Sequence, residues 1–333
     1  LIGCALWLSP RLEVPITALA WGVLLAGIVQ LLFQLPFLYR EGLLPRPKWG
    51  WRHEGVQKII KLMIPALFGS SVAQINLLFD TFIASFLVSG SVAWLYYADR
   101  LLEFPLGVFG IALATVVLPN LSQAHYRAGD ESFNKTLHWA IQLALVIALP
   151  ATIGLFILAQ PILATLFQYG AFADNDSLMS AYSLMAYSLG LPAFILIKIL
   201  ANGFYARQDT KTPVRIGIQA MVINMALNVV FVLSMLQAEF VAPHVGLALA
   251  TSASAYYNAF RLARELRREA VLGPPRSFSV PALKILCGCI VMAALIHFML
   301  PELAAWTEWR WYQRLAELLS LILPAILCYA AML

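Results

Sequence analysis

Residues 96–123 read YYADRLLEFPLGVFGIALATVVLPNLSQ, and this stretch decides the class of fold. From Phe104 to Leu118 it carries no charged side chain, yet Asp99, Arg100 and Glu103 stand immediately before that run. A hydrocarbon core about 30 Å thick takes roughly 20 apolar residues of helix at 1.5 Å rise each. Similar runs recur at 16–39, 59–87, 92–119, 137–160, 178–205, 213–236, 245–263, 280–300 and 312–333. The spacing therefore predicts an all-α polytopic membrane protein with nine transmembrane helices. Composition agrees: of the 333 residues 61% are hydrophobic and 12% charged, where a soluble domain has roughly 25% charged. The mean hydropathy is +0.80.

Leu1–Leu8 is apolar but too short to cross, and the chain opens on Leu. It reads as a partial helix, and the chain as the later portion of a longer protein. Neither a basic start nor a small-residue cleavage site marks a signal peptide.

Lys and Arg concentrate in alternate loops. One set holds seventeen of the 22, including Arg40, Arg46, Lys48, Arg207, Lys211 and the run Arg261, Arg264, Arg267 and Arg268. The other holds Arg11, Arg310 and Arg314, together with Asp174, Asp176, Glu239, Glu302 and Glu308. Positive loops stay in the cytoplasm, so the C-terminus is expected there too. This topology accounts for the net charge of +5 without a nucleic-acid partner, and Arg261–Arg268 reads as an anchor beside anionic lipid.

Signs of catalysis are poor. His53-Glu54 opens like the zinc motif H-E-x-x-H, but Gln57 occupies the position of the second histidine. The remaining histidines are scattered, and Cys4, Cys287, Cys289 and Cys328 all lie in apolar runs, where a thiol packs as a small hydrophobe. Transport is therefore favoured over an enzyme.

An ionisable group within the bilayer costs about 2.5–3.5 kcal/mol on insertion scales and marks a functional candidate. Five qualify: Asp80, Asp99, Arg100, Glu103 and Lys198. Asp99 and Glu103 are four apart and Arg100 and Glu103 three apart, so the Arg is expected between two carboxylates on one helix flank. Gly107, Gly110 and Ala114 leave room along that flank for a helix or a bulky ligand. Pro105 frees the carbonyl of Leu101 and predicts a kink below the charges. Two readings stand: an ion pair that pins helices together, or a cavity whose Arg fork grips phosphate. Lys198 either faces that cavity or snorkels to a carboxylate.

The 96–123 segment resembles a signature of the MurJ/MviN lipid II flippases, within the multidrug/oligosaccharidyl-lipid/polysaccharide (MOP) exporter superfamily. LFQYGAF at 166–172 and KILANGFYARQDTKTPV at 198–214 carry the same resemblance. It implies fourteen helices, of which these nine are the sixth to the fourteenth. Residues 1–58 would end an N-terminal lobe, 59–270 form a six-helix C-terminal lobe, and 271–333 add two helices that line a lipid-tail groove. The implied function is alternating access that carries lipid II across the bacterial inner membrane, driven by membrane potential or an ion gradient. Arg100, Asp99 and Glu103 match the cavity charges of the C-terminal lobe. The implied partners are lipid II, membrane lipids and cell-wall synthesis proteins.

A second group is Asp80, Asn224, Asn228 and Thr251, whose oxygens suit a hard monovalent cation such as Na+. Part of the family has a similar sodium site, in which a carboxylate is expected where Asn228 stands. Plain interhelical hydrogen bonds, worth about 0.6 kcal/mol each, explain these residues equally well. Beyond this cation no cofactor is expected. The competing functions are another MOP-type exporter, of O-antigen lipid or drug, and a non-transporting membrane scaffold.

Overall fold

A computed structural model of the chain describes residues 2–14, 16–42, 50, 53–127, 129–269, 272–273 and 279–333. Every described element is helical. Two compact units are formed, residues 1–64 and 65–333. In the first, α1 (Ile2–Leu8) leads through a short 3-10 turn to α2 (Thr17–Arg40), against which it packs, and α3 (Glu54–Ser85) begins. His53 caps that beginning, its Nδ1 accepting the Gly55 amide at 3.2 Å. The apparent zinc-motif histidine is thus bound to backbone.

The second unit continues with α4 (Ser91–Pro105), a π-helical stretch Leu106–Ile111, α5 (Ala112–Arg127), α6 (Gly129–Ile157), α7 (Ala159–Phe167) and α8 (Asp174–Tyr205). It is completed by α9 (Lys211–Gln237), α10 (Val245–Arg268), α11 (Ser279–Met299), α12 (Leu303–Glu308) and α13 (Trp311–Met332). Helix α8 is its axis and packs against α4, α5, α6, α7 and α10. Small residues permit the closest approaches. A Cβ on Gly190 of α8 would lie 2.6 Å from Ser252 Oγ on α10, and one on Gly246 of α10 would lie 3.1 Å from the backbone at Phe231–Val232 of α9. Such small-residue contacts replace the hydrophobic effect that lipid cannot supply between helices. The Ser252 hydroxyl also donates to the Ala186 carbonyl at 2.8 Å.

Apolar side chains cover much of the outside, including Leu78, Phe82, Val230 and Leu327, as a lipid-facing surface requires. Six described helical segments are long and apolar enough to cross a membrane: Thr17–Arg40, Ser91–Ala124, Glu131–Ile157, Asp174–Tyr205, Lys211–Gln237 and Trp311–Met332. The chain is thus a multi-pass helical membrane protein. The expectation of nine crossings exceeds that number, and the difference lies in α3, α10 and α11. Helix α10 turns Ser252, Ser254, Ala255 and Ala259 inward and ends in four arginines, so its average apolarity is low. Helix α11 has 21 residues, Ser279–Met299, of which the described apolar part is Leu283–Met299, the side chains of residues 279–282 lying outside those described. In α3 the side chains of residues 64–73 lie outside those described.

Two apolar clusters hold the second unit. The larger joins α4 to α10 around Leu137, Leu184, Leu191, Ile195 and Phe204. The smaller joins α11, α12 and α13 to α6 and α7 around Leu158, Cys289, Trp306 and Leu321. The Tyr329 hydroxyl on α13 donates to the Val146 carbonyl of α6 at 2.6 Å.

Candidate functional site

Helix α4 is fixed at its N-terminal end. Gly90 precedes it at φ +105°, a conformation that side chains disfavour, and a Cβ there would lie 2.5 Å from the Trp94 ring. The buried Trp94 donates its Nε1–H to Asp176 Oδ1 at 2.8 Å and lies 5.0 Å, centroid to centroid, from the His244 ring. Asp176 in turn accepts the Ala173 amide at the start of α8. One indole thus ties the beginnings of α4, α8 and α10 together, a role that the sequence does not reveal.

Two turns further along come the charges. Arg100 Nη1 lies 2.6 Å from Glu103 Oε2, and Nη2 lies 3.8 Å from Asp99 Oδ2, as the three- and one-residue spacings suggest. The three side chains keep 46%, 39% and 52% of their surface for Arg100, Asp99 and Glu103, so the group is half-exposed rather than sealed between helices. Arg100 also stands 5.0 Å over the Tyr96 ring. All of these recorded partners belong to its own helix.

Below the charges, directly after Pro105, the chain widens into the π-helical stretch. A widened turn leaves backbone groups imperfectly paired and often marks a functional site. Gly107 faces open space, while a Cβ on Gly110 would meet Ile195 and the Lys198 stem at 3.5 Å. Lys198 of α8 therefore runs along the widened turn, and it makes no ion pair among the described residues. Asn202, one turn on, donates to the Ala114 carbonyl at 2.9 Å and anchors the far side of the stretch. The small-residue flank thus receives α8 at Gly110 and Ala114 and stays open at Gly107.

The second group comes together from three helices. Asp80 Oδ1 on α3 accepts Asn228 Nδ2 of α9 at 2.5 Å. Asn228 Nδ2 also reaches Asn224 Oδ1 at 3.0 Å, and Asn224 Nδ2 lies 3.2 Å from Thr251 Oγ1 of α10. Two further members escape the sequence reading: Asn76, one turn before Asp80, donates to its Oδ2 at 3.3 Å, and Ser254 takes a long bond of 3.4 Å from Asn224. The i,i+4 spacing of Asn76 and Asp80 is the signal that could have found the first. Asn224 and Asn228 are fully buried. The Oδ1 atoms of Asn76 and Asn228 are buried and receive no hydrogen bond among the described residues. The amide nitrogens face the Asp80 carboxylate, while the buried amide and hydroxyl oxygens nearby are of the hard-donor type a hard cation takes as ligands, so the donor set would suit one.

A family model described as "Lipid II flippase MurJ" matches residues 1–315. The chain belongs to the MurJ lipid II flippase family. It is similar to a probable lipid II flippase MurJ of Haemophilus influenzae, 50% identical over 99% of this chain and 64% of that protein. The similarity to a probable lipid II flippase MurJ of Vibrio cholerae is also 50%, over 100% of this chain and 62% of that one. The chain thus spans less than two thirds of the length of these MurJ relatives. Among solved structures, one described as lipid II flippase MurJ in an inward closed conformation matches with a TM-score of 0.70 at 26% identity, over 90% of this chain and 58% of that chain. An outward-facing MATE-family multidrug resistance transporter of the MOP superfamily matches with a TM-score of 0.53 at 17% identity, over 82% and 62% respectively, a likeness of fold alone.

Proposed function

We propose that this chain contributes to the translocation of lipid II across the bacterial inner membrane by alternating access, with its substrate gripped by Arg100 and no covalent chemistry. The observation that carries this reading is the half-exposed Asp99–Arg100–Glu103 group beside a widened turn, in a MurJ-family chain. The planar guanidinium matches two phosphate oxygens with parallel hydrogen bonds. Glu103 holds the fork in the place an anion would take. An arriving pyrophosphate displaces it and a departing one restores it, which keeps binding reversible. Asp99 limits the net positive charge, and the Lys198 ammonium adds a second cation on the α8 side.

Around this site we read nine crossings, with α3, α10 and α11 joining the six most apolar segments, and a cytoplasmic C-terminus. Residues 1–58 end one lobe, 59–270 form the second, and 271–333 supply the α11–α13 pair as a surface for the polyprenyl tail. The separate apolar cluster of that pair supports this division. Asp80, Asn224, Asn228 and Thr251, joined by Asn76, would hold a monovalent cation such as Na+. When bound, it would neutralise the carboxylate and knit α3 to α9 and α10. Membrane lipids surround the whole, and cell-wall synthesis proteins are further partners.

The test is transport in proteoliposomes by the protein that bears this chain, comparing fluorescent lipid II with a cationic drug. Lipid II movement lost in Arg100→Ala supports the proposal. Drug movement without lipid movement overturns it in favour of another exporter, and full lipid movement in Arg100→Ala reduces the charge group to scaffolding.

A further inference from the structure

In sequence Arg314 is one cation among three on the outer side. In the structure it is buried, with 5% of its surface exposed, in the first turn of α13. Its Nη1 donates to the Ala164 carbonyl at 2.7 Å and reaches the Gln168 carbonyl at 3.4 Å. These belong to the end of α7, a nine-residue helix whose last carbonyls have no partner within the helix. A cation from another element completes that end and answers its partial negative charge. The guanidinium also stands 5.7 Å over the Tyr169 ring, while the Tyr169 hydroxyl donates back to the Thr165 carbonyl at 2.7 Å.

The connection held in this way reaches α4. Phe167 and Phe172, which flank residues 168–171 between α7 and α8, place their rings 4.8 and 5.0 Å from the Tyr97 ring. Tyr97 lies two residues before Asp99 and beside Tyr96, the ring under Arg100. The far end of the same connection is tied by Gln168 donating to Asp174 and by Trp94 donating to Asp176.

We infer that Arg314 is a positioning residue: by capping α7 it holds Phe167 and Phe172 against Tyr97, and so lets the α11–α13 pair set the outer end of the helix that bears Asp99, Arg100 and Glu103. The inference does not depend on what Arg100 binds. A lysine in its place would reach one carbonyl but lose the fork and the ring contact, so Arg314→Lys should restore part of the effect that Arg314→Met removes.

The experiment uses the full chain in lipid nanodiscs, with its native cysteines replaced and spin labels at pairs of introduced cysteines. A label pair at Phe104 and Leu233 reports α4 against α9, and a pair at Leu166 and Leu315 reports α7 against α13. Arg314→Met should broaden both distance distributions, and Arg314→Lys should broaden them less. Phe172→Ala, which leaves the Arg314 contacts in place, should broaden the α4 distance alone. Combining Tyr97→Ala with Arg314→Met should broaden the α4 distance no more than either does singly, because both cut one chain of contacts. An unchanged α4 distance in Arg314→Met, or additive effects in the double variant, would show a plain staple and overturn the inference. If Arg314→Met yields no folded protein, Phe172→Ala decides: an α4 distance that stays narrow there refutes the route.

Discussion

The two polar groups of this membrane protein invite comparison, since each centres on a carboxylate carried by a helix and each uses i,i+4 or i,i+3 neighbours. Around Asp80 the partners are neutral amides and hydroxyls drawn from three helices, and the key asparagines are fully buried. Around Arg100 the partners are charged, all on one helix, and about half of each side chain is exposed. The first arrangement closes helices on one another. The second, among the described residues, pairs its charges along one helix and binds no neighbouring helix through them. A charge in an apolar run thus does not by itself reveal its setting; the identity and origin of its partners distinguish the two groups.

The largest effect that would sharpen this contrast is on ligand binding. Arg100→Ala should weaken binding of a pyrophosphate-bearing lipid by roughly 10- to 100-fold, from the loss of one charged contact worth about 1.5–3 kcal/mol, while leaving the melting temperature nearly unchanged. Equilibrium binding to the nanodisc protein and a thermal melt measure the two halves. A large drop in melting temperature would erase the distinction between the groups. Asn228→Ala should do the reverse, removing about 1–3 kcal/mol of stability by leaving Asp80 Oδ1 and Asn224 Oδ1 without the amide that now bonds them, with lipid binding retained. Thermal melts followed by size-exclusion chromatography report it.

A finer break concerns the cation. Asn228→Asp adds a second carboxylate, and its melting temperature should rise with NaCl more steeply than with choline chloride. An equal response to both salts would mean hydrogen bonding alone. Away from both groups a smaller effect is expected at Asp209, which accepts the amides of Lys211 and Thr212 at 3.0 and 3.1 Å. Partial burial raises its pKa, but the hydrogen bonds from Thr212 and Lys211 and the Arg207 charge outweigh this and hold it below its ordinary value. Its contribution is therefore complete above the ordinary carboxylate pKa and is lost as the pH falls through the lower folded value. Asp209→Asn should flatten the acid limb of the stability profile slightly, as read by melts between about pH 5 and pH 2, roughly the range over which such a carboxylate titrates.

The sequence is most legible where spacing alone decides contact. The Arg100 pairings follow from Arg100 and Glu103 three residues apart and Asp99 and Glu103 four apart, and the apolar runs fall on helices because lipid leaves the backbone few other forms. Asn224 and Asn228 are visible as one helical face, but Asp80 lies 148 positions from Asn228, and no local rule joins them. Their association comes from the family resemblance. Helix α10 reads as a crossing by its position, although its buried face is serine and alanine, whose role is close packing rather than apolarity. Arg314 is least legible: a cation near a helix start reads as exposed, and only the end of α7 beneath it makes its burial reasonable.

The widened turn at Leu106–Ile111 has a geometrical consequence for the span that carries the site. Each residue inserted into an α-helix turns the remainder of the helix by about 100°, so the halves of this rod on either side of the widened turn are offset in azimuth relative to a continuous helix. Trp94 clamps one half and Asn202 the other. The widened turn is thus the joint at which the face held by Trp94 passes to the differently turned face held by Asn202.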